Sequence, residues 1–589
     1  MRRAALAAGL AAGLGLALAP TAPAAPPSIP LDEIHAGQRG YGLTVLAGTA
    51  PERFEVEVLG VLKNVAPGTS YVLARLTGAH LEKTGVIAGM SGSPVYLDGR
   101  LAGAVAFSWP FAQEAIAGIT PIDRMRAVPA AADRGAGGGA LPTLSQIALG
   151  KFDESLFAAE AGHLATRLGD GGETRVVWSA RGFGEGTFDR FGRALARVVP
   201  SGGAVAGGRI EPGGSVAALL VDGDLRLAAT GTVTEVDGDQ VLAFGHPFLG
   251  LGALELPMAT AEVVTVLGSD YSSFKLANTG EVVGAFLADR PAGISGRLGA
   301  TARTLPVTLE VAGERPARFA LRLARVPEML PLLVAISELG VLDQAFATAG
   351  VQAIDVRARF DLGAHGRLAL AQSFDGPGAG TQSALWLIGV TTFLTRSELA
   401  AIEPLALDLE LRPGRAPRAS EILGAAPRRP RVRPGETLAV DVETRAFRGD
   451  VAHGELEVVL PRELPAGRYT ILVGSGPEAD AARLGLVGAD PATIEQALRL
   501  LAELHPPTDL VVLGVLPARG VAVAGESLPR LPASLQAIWA ASPGKSAVPL
   551  RAAVAELGGR PWPTPLAGLV RFDVEVVREG EGAREETHR

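Results

Sequence analysis

A turn of small residues running into a hairpin constrains this chain more than any other stretch. Gly89-Met90-Ser91-Gly92-Ser93-Pro94 is followed by Val95 to Leu97, an Asp98-Gly99 pair and Leu101 to Val105. Asp-Gly between alternating apolar runs is a strong hairpin signal, because a two-residue turn needs φ > 0 at its central positions. Thr84 to Ile87 reads as the strand entering the turn. The glycines on either side of Ser91 let the backbone turn tightly, so successive N–H groups can converge on one oxygen beside the hydroxyl. Ser91 is therefore a candidate nucleophile, with the N–H groups of Gly89 and Ser91 as its oxyanion hole. A Gly/Ser turn is also an ordinary strand connection, and the hairpin context is what favours the chemical reading.

The segment Leu81 to Pro94 resembles the nucleophile segment of the SpoIVB-type serine peptidases, the stage IV sporulation protein B family. Gly37 to Val45 upstream and Gly118 to Ile122 downstream fit the same domain, and Met90, where trypsin has aspartate, is the more specific part of the signature. The resemblance implies a mainly β, trypsin-like double β-barrel with a Ser/His/Asp set. It also implies a serine endopeptidase working through an acyl-enzyme, with a protein or peptide substrate, the chain itself included. In the family the histidine segment precedes the serine segment, whereas here Ser91 precedes His246. The two halves are then expected in permuted order, which the chemistry allows because such sets are defined by geometry and not by chain order.

A serine hydroxyl is inert at neutral pH without a base. His35, His80, His163, His365, His453, His505 and His588 sit beside loop residues or on polar faces and read as solvated side chains. His246 instead ends the strand Gln240 to Phe244, which follows Gly231 to Val236 across an Asp237-Gly238 turn, and Ala243-Phe244-Gly245-His246 resembles the family's base-bearing segment. Alone it would read as a histidine capping a strand. The family's aspartate before the nucleophile turn aligns with Leu76-Thr77-Gly78, which holds no carboxylate. Asp289, just before Gly293-Ile294, or Asp123, near the end of the serine domain, could orient His246, and each could equally be a surface carboxylate or a helix cap. A Ser/His dyad with the ring held by a backbone carbonyl is the third option. Ala104 to Trp109 are candidate walls of a side-chain pocket. The rival class is an envelope binding or assembly protein that keeps the barrels without activity, and the missing aspartate speaks for it.

Composition narrows the rest. A chain of 589 residues exceeds one core and suggests roughly three to five domains. The net charge of −8 argues against nucleic acid as partner, and the absence of cysteine excludes disulfides, a thiolate nucleophile and cysteine-zinc sites. No metal-binding spacing or cofactor motif occurs, so no cofactor is expected. The Asp222-Gly223-Asp224 and Asp237-Gly238-Asp239 runs are more simply hairpin turns than calcium loops. Met1-Arg2-Arg3, the apolar run Ala4 to Ala19 and Ala22-Pro23-Ala24 together read as a secretory signal peptide. The expected location is secreted, periplasmic or in the cell envelope, with no integral membrane segment after signal removal. Met329 to Leu342, broken by Pro331, Glu338 and Gly340, reads as a buried or amphipathic helix.

The expected organisation is a signal peptide (1–24), a serine-bearing β-barrel (27–130), a linker and helical bridge (131–206) and a histidine-bearing β-barrel (207–303). A mixed α/β region (304–415), a C-terminal β-sandwich (432–579) and a charged, disordered tail (580–589) complete it. Gly135 to Gly139 reads as flexible linker, and Phe188, Phe191, Leu195 and Val198 recur at helical spacing in the bridge. The Pro/Arg run Arg428 to Gly435 reads as a solvated spacer, and a helix from Asp490-Pro491 to Leu504 interrupts the sandwich.

Overall fold

A computed structural model describes residues 27–109, 111–127, 141–168, 176–184, 186–188, 198–203, 208–313, 316–346, 350–487, 490–516, 520–523, 526–528, 532, 534–535, 547–550 and 552–577. The signal-peptide stretch, Gly135 to Gly139, the middle of the Phe188 to Val198 stripe and the 580–589 tail lie outside the described residues.

Six strands make the first barrel: β1 (Arg39–Thr44), β2 (Glu52–Ala66), β3 (Thr69–Thr77), β4 (Pro94–Leu97), β5 (Arg100–Ser108) and β6 (Ile116–Pro121). They close in the order β1-β2-β3-β6-β5-β4, with β4 pairing back to β1. Alternation explains the closure, because Phe54, Val56 and Val58 from β2 and Val72, Ala74 and Leu76 from β3 point inward to one core. Asp98 and Gly99 take φ of 49° and 71°, as the hairpin turn requires. Thr84 to Ile87, expected as a strand, is not one. Leu81–Thr84 forms a short helical turn, with Ala79 and His80 left-handed before it and the Glu82 carboxylate accepting the Gly78 N–H at 2.6 Å. The β-branched pair Val86-Ile87 looks like strand, but Ile87 is used to fill the barrel core.

After β7 (Val177–Arg181) and β8 (Val198–Pro200), six further strands follow. They are β9 (Ser215–Gly223), β10 (Arg226–Asp237), β11 (Gln240–Ala243), β12 (Gly252–Leu267), β13 (Phe274–Arg290) and β14 (Gly293–Leu298). Antiparallel pairings run from β9 to β10, β11, β14, β13 and β12, and β12 pairs back to β9. This is a second closed ring, and its connectivity repeats that of the first: first strand to second, third, sixth, fifth and fourth. The expected double barrel is thus present, with the serine and histidine halves each one copy of the same six-strand topology.

The second barrel does not end at its own edge. Strand β16 (Ala317–Ala324) pairs with β9, and β15 (Thr304–Val311), β17 (Ala353–Asp361), β18 (Arg367–Asp375) and β19 (Ala406–Gly414) extend the sheet to thirteen strands with β7 and β8 on its other side. Residues 304–415 therefore share backbone hydrogen bonds with the histidine barrel. Helices Leu330–Phe346 and Ala379–Arg396 cover this sheet, and the first is buried along almost its whole length. Between them Glu338 is fully buried with Ser383 donating to its carboxylate, and burial pushes its pKa up from 4.5 to about 8. The folded state thus binds a proton that the unfolded chain releases above its own pKa. Stability is full below about pH 4.5 and falls as pH rises toward 8, by up to about 1.4 kcal/mol per pH unit. Glu338→Gln is expected to remove this slope, and thermal unfolding followed from pH 4 to 9 checks it.

The C-terminal region packs two sheets around one core that includes Val440, Val458, Ile471 and Val512. Ser420–Pro427, Thr437–Ala446, Val451–Val459 and Leu566–Ala567 form one sheet. Arg431–Val432, Gly467–Ser475, Asp509–Leu516, Ala553–Pro561 and Leu569–Val576 form the other. The Arg428 to Gly435 run, read as spacer, instead supplies the Arg431–Val432 strand, and Arg428 pairs with Asp441 and Glu455. The arginines are solvent-exposed, as the charge density suggests, but cross-strand carboxylates pair with them and the segment is tied into the sheet. The helix expected after Asp490 spans Ile494–Ala502 and is capped by Thr493 through a capping box with Gln496. His505 also departs from expectation, since its Nδ1 lies 3.0 Å from the buried Asp480 carboxylate, which raises its pKa.

Candidate active site

The barrels meet along a seam built from both halves. Tyr96, Leu101, Ala104, Ile122 and Met125 of the first pack with Ala292 of the second, and Leu242 lies against them. Backbone bonds join Gly48 to Val263 in both directions at 2.7 and 2.9 Å, and Thr120 Oγ1 donates to the Gly245 carbonyl at 2.6 Å. Arg126 pairs with the buried Glu235.

Ser91 lies on this seam, in the connection between the third and fourth strands of the first barrel. Its turn is pinned by the second barrel. Thr232 N–H donates to the Ser91 carbonyl at 2.9 Å, Thr232 Oγ1 to the Gly89 carbonyl at 2.8 Å, and Thr234 Oγ1 to the Gly92 carbonyl at 2.7 Å. Gly92, at φ +96°, must be glycine, because a Cβ would lie 2.0 Å from the Thr232 oxygen and 2.5 Å from the Phe244 nitrogen. The Ala88 carbonyl accepts from Lys275 N–H at 3.0 Å and the Met90 carbonyl from Ser93 N–H at 2.8 Å. In a trans peptide the next N–H points opposite the carbonyl, so these bonds turn the Gly89 and Ser91 N–H groups away from the packed side. Among the described residues neither donates to a protein acceptor. The turn thus presents two N–H groups and a half-buried serine at one place, whereas the Ser93 hydroxyl is fully buried.

His246 occupies the matching connection of the second barrel, between its third strand β11 and its fourth strand β12. The segment Phe244-Gly245 leading to it lies against the Ser91 turn: Gly92 abuts the Phe244 nitrogen, and Gly245 packs on Val105 and Ala104. Phe244 itself is left-handed, at φ 68°. The buried imidazole has Nδ1 2.7 Å from the Pro247 carbonyl. Since a carbonyl only accepts, Nδ1 carries the proton and Nε2 is the basic nitrogen.

Asp289 ends the fifth strand of the same barrel, and its buried carboxylate accepts N–H groups of Phe248 at 2.7 Å, Leu249 at 2.5 Å and Leu251 at 3.5 Å. It braces the loop that follows His246. Burial pushes its pKa up, and these N–H groups oppose that shift. Asp123 is exposed in the short helix Ile122–Arg126. Of the expected pocket residues, Ala104 to Ala106 are buried, and only the end of β5 opens to solvent. There Ser108 and Trp109 line a cavity with Thr84, Phe111, Glu114 and Tyr271.

Sequence reasoning passed over Lys275. It is fully buried on β13, donating through Nζ to Thr44 Oγ1 at 2.8 Å and Thr232 Oγ1 at 3.4 Å, with its stem against Gly89. A period-two reading in phase with the buried Ala277 and Thr279 would have placed it inward.

No curated protein and no solved structure matches the chain. The serine-bearing barrel is where the chain is similar to a known family: residues 27–120, Ser91 and the strands around it included, match the family model of the SpoIVB peptidase S55.

Proposed function

We propose that the protein is a serine endopeptidase of SpoIVB type. The observation that carries this reading is the repeated topology. Ser91 and His246 lie on the same connection, third strand to fourth, of two barrels with one strand order, and those connections pack on each other across the seam. The peptidase-family match covers the serine half and supports the chemistry of Ser91. His246 lies outside that match, and its role rests on topology and on the tautomer set by Pro247.

In this mechanism Ser91 Oγ forms a bond to the scissile carbonyl carbon while its proton passes to His246 Nε2. The carbonyl oxygen takes the negative charge between the N–H groups of Gly89 and Ser91. His246 returns the proton to the leaving amine as the C–N bond breaks, and water then hydrolyses the acyl-enzyme by the reverse proton route. Asp289 acts through the loop it braces, keeping the imidazole in place. The substrate would be a protein or peptide, this chain included, met outside the cytoplasm after removal of residues 1–24.

The test is a fluorophosphonate probe on the purified protein, with the modified residue mapped by mass spectrometry. Labelling at Ser91 is the expected result. An unlabelled protein that nevertheless binds envelope proteins would favour the inactive binding or assembly reading.

A further inference from the structure

A buried lysine without a carboxylate is costly, and an apolar residue of similar size would fill its place more cheaply. Among the described residues Lys275 makes no ion pair, and it is only 1 % exposed. Its surroundings are the Thr44 hydroxyl of β1, the Thr232 hydroxyl of β10 and the backbone of Gly89, with Val266 of β12 as its strand partner. None of these groups titrates.

Lys275 holds the nucleophile turn in two ways. Its backbone N–H fixes the Ala88 carbonyl, and so the direction of the Gly89 N–H. Its ammonium donates to Thr232 Oγ1, which leaves the Thr232 proton to go to the Gly89 carbonyl, where the 2.8 Å bond places it. Gly89 is held against the lysine stem, since a Cβ there would sit 3.1 Å from Cδ at a φ of +99°.

We infer that Lys275 is the positioning residue of the oxyanion hole: through Thr232 it locks the Gly89 carbonyl, and its stem packs on the Gly89 backbone while its ammonium is held at the Thr232 hydroxyl that grips this turn. The inference rests on the peptidase reading above. A cation in a water-free site adds favourably to negative charge that develops in the transition state. Burial lowers its pKa from 10.5 to about 7, so this ammonium is lost as pH rises through neutrality.

The experiment measures the second-order rate of fluorophosphonate labelling at Ser91 between pH 5.5 and 9. It compares wild type, Lys275→Met, Thr232→Val and the double variant, each with its thermal midpoint. The single variants are expected to label about 10²–10³-fold more slowly, and the double variant no more slowly than the worse single. The wild-type rate should decline on the alkaline side, and Lys275→Met should lack that decline. A merely structural lysine would move the thermal midpoint and leave the pH profile in place. Wild-type rate and profile in Lys275→Met overturn the inference while leaving Ser91 as nucleophile. If Lys275→Met does not fold, undiminished labelling of Thr232→Val overturns it alone. An unlabelled wild-type protein overturns the peptidase reading and this inference together.

Discussion

Ser91→Ala is expected to abolish fluorophosphonate labelling and to lower peptide hydrolysis by about 10⁶-fold, the scale on which removal of a serine nucleophile acts in enzymes of this chemistry. The fold should survive, because the Ser91 side chain is half-exposed and the turn is held through its backbone carbonyls by Thr232 and Thr234. Ser93→Ala is the internal control. Its hydroxyl is buried on the core side of the turn, so the change should alter turnover little. Activity retained in Ser91→Ala and lost in Ser93→Ala would transfer the nucleophile to the wrong side of the turn and sink the site as described.

The second large effect is at His246. His246→Ala should cost nearly as much as loss of Ser91, and the double variant should be no worse than either single, since a nucleophile and its base act as one unit. Asp289→Asn is expected to cost about 10²-fold to 10⁴-fold, the upper figure being that of a lost orienting acid. An amide offers one acceptor oxygen where the carboxylate uses two, so either the Phe248 N–H or those of Leu249 and Leu251 lose their partner. Asp123→Asn, at an exposed position of the short helix Ile122–Arg126, should leave turnover unchanged. Steady-state hydrolysis of a casein-derived peptide mixture by wild type and each of these variants checks this. Equal rates in wild type and His246→Ala would remove the base from the mechanism.

The hairpins were legible because Asp-Gly turns and period-two alternation are local. Asp98-Gly99 lies where the turn chemistry put it, the second hairpin turns one residue later than expected, at Gly238-Asp239 with Asp237 still paired to Gln240, and Val56 and Val58 face inward as their spacing demands. The helix Leu330–Phe346 was equally readable from the apolar stretch Met329 to Leu342, in spite of its Pro331, Glu338 and Gly340. The strand expected at Thr84 to Ile87 and the spacer expected at Arg428 to Gly435 were misread for one reason: each is decided by distant partners. Ile87 is needed by the barrel core, and Arg431–Val432 is paired by Leu569–Val576. Propensity carries no information about such neighbours.

By itself the sequence determined the Ser91 turn, the glycines that its backbone demands and the strand leading toward His246, which ends at Ala243 and leaves the histidine in the following connection, because each depends on a few adjacent residues. Only the tertiary structure decided that β9 and β10 close a second ring with the order of the first, that the Asp289 carboxylate braces the loop after His246, and that Lys275 lies beneath the turn. These are pairings between residues far apart in the chain. They depend on which strand edges and which buried polar groups find partners when the two barrels meet, and no local spacing records that.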